Sequence, residues 1–501
     1  MRPMMSHARL AVILALPAVA FPATPSFQNH TQSNSSVFGG GAPQFLHADL
    51  NGDGHEDLIF DYHPEMGDQD TFAIQLSNGS GGYLAAVSYK LPPNGQYVNS
   101  ITLGDFTSDG AIDIVAIGAD DIFVYANNGK GAFTLKSTTA FGNAGTQNYA
   151  TGVAGDFNHN NVADLAFVVN GQLNVWFGSG NGTFSIGPRM GVLGTDPQLG
   201  DFDGDGKPDL LLKDNVNYNI AYVLYGDNRG NFPVTKTLTR GSSPSNFANF
   251  TVGDVNSDGR SDVLVVQPSV YTNRVFVYYG NTTRTFANTT TVPVGRCITG
   301  SASVADLDGN GFNDLIVEEQ DCNNTYYGPT YVDVRTRNAN ATYNPDQTIY
   351  HSQSINGVTY GMPNPPEVLR ADLNTKPDLL IQQCADDRCD GYKITTLINT
   401  TSGAFPSCNA PAASRGINVC SPTTSVASPV PFSIGASGTV PMRDVEVWVD
   451  GSKRALQIDG FSNYTFLKKS VTLNPGTHNV TVFAAGWDQS LVKKTFTLSV
   501  K

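Results

Sequence analysis

A nine-residue acidic loop that recurs along the chain limits what this sequence can fold into more than any other feature. Its fullest form, Asp201-Phe202-Asp203-Gly204-Asp205-Gly206-Lys207-Pro208-Asp209, runs directly into Leu210-Leu211-Leu212. Oxygen-bearing side chains at positions 1, 3, 5 and 9 suit a loop that wraps a hard cation such as Ca²⁺: short acids converge as the chain curls, and a glycine at position 6 permits the bend. Related cores begin at Asp49, Asp105, Asp156, Asp201, Asp254, Asp306 and Asp372, with starts 56, 51, 45, 53, 52 and 66 residues apart. A period near fifty residues is the length of a four-stranded blade rather than of one hairpin.

Each loop has the same surroundings. A short strand-like segment precedes it, as in Ser100-Ile101-Thr102-Leu103-Gly104, and an apolar, β-branched run follows, as in Ile114-Val115-Ala116-Ile117 or Val263-Leu264-Val265-Val266. An alternating segment comes next (Ile122-Phe123-Val124-Tyr125), then a glycine-rich turn ending in an aromatic, such as Asn128-Gly129-Lys130-Gly131-Ala132-Phe133 or Ser179-Gly180-Asn181-Gly182-Thr183-Phe184. Such turns supply the positive φ that tight hairpins require. Four antiparallel strands repeated seven times predict an all-β chain, a seven-bladed β-propeller over residues 42–407. Residues 24–41 either lend the ring a closing strand or form a flexible leader.

The loop, its apolar strand and the NG-x-G-x-F turn resemble the FG-GAP/VCBS repeat, the unit of the integrin α-chain propeller and of many exported microbial propellers. The resemblance implies that the loops sit in hairpins between the first two strands of a blade. It also implies that Ca²⁺ binds side chains at positions 1, 3, 5 and 9 and the backbone carbonyl at 7. Carried over residue by residue, the fourth loop offers Asp201, Asp203, Asp205, Lys207 through its carbonyl, and Asp209. The first offers Asp49, Asn51, Asp53 and Asp57, the fifth Asp254, Asn256, Asp258 and Asp262, and the sixth Asp306, Asp308, Asn310 and Asp314. The second, Asp105, Thr107, Asp109 and Asp113, is expected to bind more weakly because a threonine stands at position 3. In the third, Asn160 and Asn161 replace the acid and the glycine, and the seventh is two residues short, so no metal is expected in the seventh.

Two other readings compete for the same residues. Asp and Asn also cap tight turns through side-chain-to-backbone bonds, which suits the third and seventh loops. Four unneutralised carboxylates in the fourth would repel one another. An EF-hand needs an acid at position 12 and flanking helices, whereas position 12 here is apolar, as at Leu212 or Val265.

The ends of the chain differ from its middle. Residues 1–23 combine a basic start, the apolar run Leu10–Leu16 and an Ala-Val-Ala site, the pattern of a secretory signal peptide. Six cysteines, Cys297, Cys322, Cys384, Cys389, Cys408 and Cys420, read as disulfides in an exported chain, pairing most simply with sequence neighbours. Residues 408–430 are rich in Pro, Ala, Ser and Thr and read as a linker. Alternating segments such as Val445-Glu446-Val447-Trp448-Val449 make 431–501 resemble a small immunoglobulin-like β-sandwich.

A formal charge of −14 argues against nucleic acid as a partner, and no later stretch is apolar enough for membrane insertion. Close to half of the 44 acidic residues lie in the loops, where a cation would offset them. His47 and His55 flank the first loop and read as surface residues, and no HExxH, nucleophile elbow or phosphate loop occurs. Asn281, Asn288 and Asn399 head glycosylation sequons. The sequence therefore predicts a secreted, monomeric, calcium-binding propeller. Its expected role is a non-enzymatic binding or adhesion module for an extracellular glycan or protein. A carbohydrate-active enzyme with paired carboxylates in the funnel is the alternative.

Overall fold

The apolar run after each loop becomes the second strand of a four-stranded sheet and is buried along its whole length. Asp113–Ile117, Asp164–Val169 and Asp262–Val266 contain no exposed residue, whereas the fourth strand Phe133–Ala140 is mostly open to solvent. A second strand is covered on both faces by neighbouring sheets, so its sequence is continuously apolar instead of alternating. The computed structural model describes residues 24–34, 45–62, 71–92, 98–141, 150–240, 248–267, 273–322, 329–338, 340–352, 354–355, 358–359, 366–369, 371, 376–384, 392–401, 408, 416–422, 425–438, 442–458, 464–486 and 490–501. The residues read as a signal peptide lie outside this set.

Among the described residues there are seven four-stranded antiparallel sheets. The first holds Phe45–Ala48, Asp57–Tyr62, Thr71–Gln75 and Val87–Lys90, paired in chain order. The next five repeat that order, ending with Gln347–His351. The last sheet pairs Glu367–Leu369, Asp378–Cys384 and Tyr392–Asn399 and takes its outer strand from the other end of the chain, Phe27–Asn34. Phe27 pairs with Asn399 and Asn34 with Tyr392. The wide space between the first loop and residue 24 is thus explained by a strand that belongs to the last blade.

Seven apolar clusters join each sheet to the next. One holds Ile59, Phe72 and Ile74 of the first sheet with Ile114 and Phe123 of the second, and another joins Leu369, Leu380 and Ile398 of the seventh to Phe45, Leu58 and Phe60 of the first. The remaining five link the intervening pairs, so the sheets close into a ring, the arrangement of a β-propeller. The aromatic that ends each glycine-rich turn serves this packing. Phe184, Phe232 and Phe286 lie 5.6, 6.0 and 5.9 Å from Phe106, Phe157 and Phe202, which occupy position 2 of the preceding blade's loop.

Beyond the ring, residues from Gly416 onward form two packed sheets, one of three strands and one of five, around Phe432, Ile434, Val447 and Val482. This corrects the expected linker. Gly416–Ser421 pairs with Val430–Ser437, and Ser425–Val426 pairs with the last strand. Ile417 and Val419 supply the alternation, but the surrounding Pro, Ser and Thr conceal it. Disulfides Cys297–Cys322 and Cys408–Cys420 span Cα distances of 5.0 and 5.4 Å. The expected Cys384 to Cys389 pairing lies outside the described residues. Asn399 is fully buried, donating to the carbonyls of Leu307 and Pro377, so its sequon is closed to modification in the folded chain. Tyr278 and Tyr279 pack against inter-blade clusters. Among the described residues no helix is long and apolar enough to cross a membrane.

Two consequences are measurable. Deleting residues 24–34 uncovers the edge of Tyr392–Asn399, and an unpaired edge invites association; the truncated protein should melt lower and aggregate on size-exclusion chromatography. Glu318 is buried in the sixth blade, and burial raises its carboxyl from 4.5 to about 8. The folded chain therefore holds a proton that the unfolded chain releases, so stability falls as pH rises from 4.5 to about 8 and levels off above. Glu318→Gln removes that contribution, and its stability advantage over wild type should grow across this window by up to a few kcal/mol in urea melts.

Candidate metal centre

The loops lie between the first and second strands of each blade, and two kinds of aspartate shape them. The position-9 side chain is a latch. In the fourth loop, Asp209 Oδ2 accepts from Phe202 N at 3.0 Å and Oδ1 from Gly226 N at 2.8 Å, tying the loop's start to the end of the third strand. An equivalent pair of bonds recurs at Asp57, Asp113, Asp164, Asp262, Asp314 and Asp378, the loop-side donor being Thr107 N at position 3 in the second loop and Ala371 N, just before the loop, in the seventh. All seven side chains are buried. The position-1 aspartate instead folds the loop on itself. Asp201 Oδ1 accepts from Asp205 N and Oδ2 from Gly206 N, and Asp49, Asp105, Asp156, Asp254 and Asp306 do likewise.

This curl places positions 4 and 6 in the left-handed region. Gly204 and Gly206 have φ of 74° and 83°, and in the third loop His159 and Asn161 adopt 63° without any glycine. That loop keeps the common shape although it lacks the acid at position 5, so hydrogen bonds rather than a cation set the backbone.

The oxygens that converge are fewer than the sequence suggests. Carboxylate atoms of Asp201, Asp203 and Asp209 lie within 4.8 Å of one another, as do those of Asp306, Asp308 and Asp314. Position 5 does not join them in the fourth loop: Asp205 is paired with its neighbour Lys207 and lies 3.4 Å from Arg284 Nη2. Arg284, from the turn of the fifth blade, also reaches Asp203 at 2.6 Å. Among the described residues, the first, second and fifth loops bring no three carboxylates so close. Asn51 and Asn256 instead donate to Asp53 and Asp258, Arg260 pairs with Asp258 at 2.6 Å, and Thr107 donates its hydroxyl to Asp113. In the sixth, Asn310 bonds Asp308. Residues 372–375 of the seventh loop lie outside the described set.

Burial dominates the electrostatics. It pushes Asp57 up to about 8, Asp209 to about 9 and Asp201 to about 7, and it holds Asp262 and Asp314 well above the usual carboxylate range. His47 is buried, against expectation, with Nδ1 3.2 Å from Glu56 Oε2 beside the first loop.

Sequence reasoning also missed what covers this face: the C-terminal sandwich reaches four loops. Tyr464 Oη donates to Asp49 Oδ2 at 2.5 Å, Arg443 to the carbonyl of Gly206, and Lys469 Nζ to the carbonyl of Ser257 at 3.0 Å. The backbone of Lys468 fills the space a Cβ on Gly311 would need. Charge repulsion around glycine-rich loops gave a faint sign that cations must lie nearby. Nothing in a single sequence says that they come from residues 443–469.

The buried position-9 latch and the partly exposed position-5 acid are separable by mutation. Asp209→Ala strands two buried N–H groups, each costing about 1–3 kcal/mol, and should destabilise the protein by roughly 2–4 kcal/mol in urea melts even with chelator present. Asp205→Ala, at a partly exposed position, should change stability in chelator by less than about 1 kcal/mol.

The chain is similar to several known proteins. Integrin alpha-PS5 of Drosophila melanogaster is 30% identical over 137 residues, amounting to 23% of this chain and 14% of the integrin, so the chain spans a small part of that relative. The structure of an Agrocybe aegerita lectin, described as recognising non-reducing terminal N-acetylglucosamine, aligns at 18% identity with a TM-score of 0.44 over 62% of this chain and 81% of the lectin. The WD40 domain of SCAP from fission yeast aligns at 8% identity with a TM-score of 0.40, covering 94% of this chain and 87% of that domain. Matches to the FG-GAP-like repeat fall at residues 49–116, 105–167, 156–212, 201–265 and 254–317, taking in the first six loops in overlapping steps. With the acidic loop, the apolar second strand and the aromatic turn in register in each, the chain belongs to the FG-GAP-like repeat family.

Proposed function

We propose that this FG-GAP repeat propeller is a secreted, calcium-binding, non-enzymatic binding module. The observation that carries the metal reading is the pair of converging triads, Asp201, Asp203 and Asp209 and Asp306, Asp308 and Asp314, buried except for the half-buried Asp306. Two ionised carboxylates 4 Å apart repel by on the order of 4 kcal/mol at a near-surface dielectric. Three in one place need a proton or a cation. The donors are all hard oxygens, which favour Ca²⁺ over softer metals. Asp201, Asp203 and Asp209, with the carbonyl of Lys207, would hold the ion in the fourth loop, and Asp306, Asp308, Asn310 and Asp314 in the sixth. The disulfides support an oxidising, extracellular setting.

For the ligand, a recess of about 140 Å³ between the second and third blades supports a glycan. Phe141, Phe167, Trp176, Gln172, Asn174 and Arg189 line it, a combination of aromatic walls, amides and a cation that suits a polar ring. A protein ligand is the other reading of the same module.

Both parts are open to measurement. Ca²⁺ added to metal-stripped protein should raise the melting temperature and show uptake by calorimetry, with EGTA reversing both. No uptake and no shift would reduce the loops to hydrogen-bonded turns. On a glycan array the wild type should bind at least one glycan class and Arg189→Ala should lose most of that signal; binding that survives the substitution would move the site elsewhere.

A further inference from the structure

The four loops with a carboxylate or amide oxygen at each of positions 1, 3, 5 and 9 and glycine at 6 are the first, fourth, fifth and sixth, the second having the Thr107 hydroxyl at position 3. The contacts of the C-terminal sandwich reach the same four. At each, a sandwich group stands against the position-1 carboxylate or its loop. Tyr464 donates to Asp49. Arg443, which binds the Gly206 carbonyl, exerts an attractive charge on Asp201. Lys469 does the same on Asp254 and Asp306, and Lys468 on Asp306. The fit is close at two loop glycines. Leu456 occupies the position a Cβ on Gly259 would take, and the Lys468 carbonyl occupies that of Gly311. Arg443 and Lys468 are largely buried in this contact, so their charges face the loops with little water between.

Three cationic side chains are thus held against carboxylates that a divalent cation would also use. A bound divalent ion would neutralise the loop acids that attract Lys468 and Lys469 and the share of Arg443's attraction that comes from Asp201, Arg443's closest acid being Asp444 within the sandwich, and would add repulsion at short range across a dry contact. We propose that the C-terminal sandwich and divalent cations share one binding surface on the propeller and exclude one another, so that calcium entering the fourth and sixth loops releases the sandwich from the ring. The sandwich is then the propeller's built-in partner when calcium is scarce. The face it leaves becomes available when calcium is plentiful. This rests on reading the loops as cation sites.

Coupling between two ligands of one surface is reciprocal: whatever factor calcium takes from docking, docking takes from calcium affinity. The test uses the whole chain. The triple variant Arg443→Gln, Lys468→Gln, Lys469→Gln removes the competing charges. Leu456→Trp leaves the charges but overfills the contact at Gly259, guarding against a result due to misfolding of one variant. Calorimetric Ca²⁺ titration should show binding about tenfold tighter in both variants, the size of an ordinary coupling. Small-angle scattering should show the wild type lengthening on calcium addition, and the triple variant extended from the start. Equal affinity in wild type and variants, or scattering unchanged while calcium is taken up, would overturn the exclusion and leave the cation sites standing. Weaker binding in the variants would mean that the sandwich completes the sites, and would also overturn it. No uptake by any of the three would remove the cation reading and the proposal together.

Discussion

Every blade depends on one buried carboxylate. The position-9 aspartate joins the start of its loop to the end of the third strand through two backbone N–H groups, seven times around the ring. A buried acid is costly unless its oxygens are satisfied, and here the two bonds supply what burial removes. The latch fixes where the second strand begins, so the apolar run that follows presents its residues to both neighbouring sheets. It also holds the carbonyl of position 2 toward the next blade, where Gly182 N reaches Phe106 O at 2.9 Å and Gly230 N reaches Phe157 O at 2.7 Å. One side chain thereby sets the register within a blade and the contact between blades. With whole domains stable by only about 5–15 kcal/mol, seven such latches make a large share of the ring's integrity.

Much of this was legible because it repeats. The loop starting at Asp49 and its six relatives mark the blades, and runs such as Ile114-Val115-Ala116-Ile117 mark the strands buried on both faces. The division of labour within the loop was not legible. A regular expression treats positions 1, 3, 5 and 9 alike, whereas the fold gives positions 1 and 9 to the backbone and, in the fourth loop, turns Asp205 toward Lys207 and Arg284. Position 4 passed unnoticed because Gly, Ser and His all occupy it, although all are left-handed. The role of Phe184 and its counterparts, across the blade boundary from Phe106, needs three dimensions. So does the placement of Tyr464 on Asp49, a contact between residues 415 apart in sequence. His47 read as a surface residue because its partner Glu56 sits in the loop and only the fold buries both.

The third loop separates shape from charge. With Asn160 and Asn161 it curls as the others do, so a cation is not needed to form the turn. What the acid-rich loops add is a negative potential on one rim of the ring, concentrated in the fourth and sixth blades. A loop whose shape comes from its own hydrogen bonds leaves that potential for contacts, with the chain's own cationic residues or with ions from solution.

The strand Phe27–Asn34 has a consequence in time as well as in space. Its partners are Tyr392–Asn399, and Ser26 N meets the Thr401 hydroxyl across 375 positions of sequence. Contacts so distant along the chain are made slowly, since the ends must be brought together before the pairing rewards them. As the chain emerges from the ribosome, the first six blades can assemble while the N-terminal segment waits for a partner not yet synthesised. The ring is sealed last, by its earliest residues. An incomplete ring exposes strand edges and apolar faces that associate readily, so the interval before closure is when this protein has most need of protection.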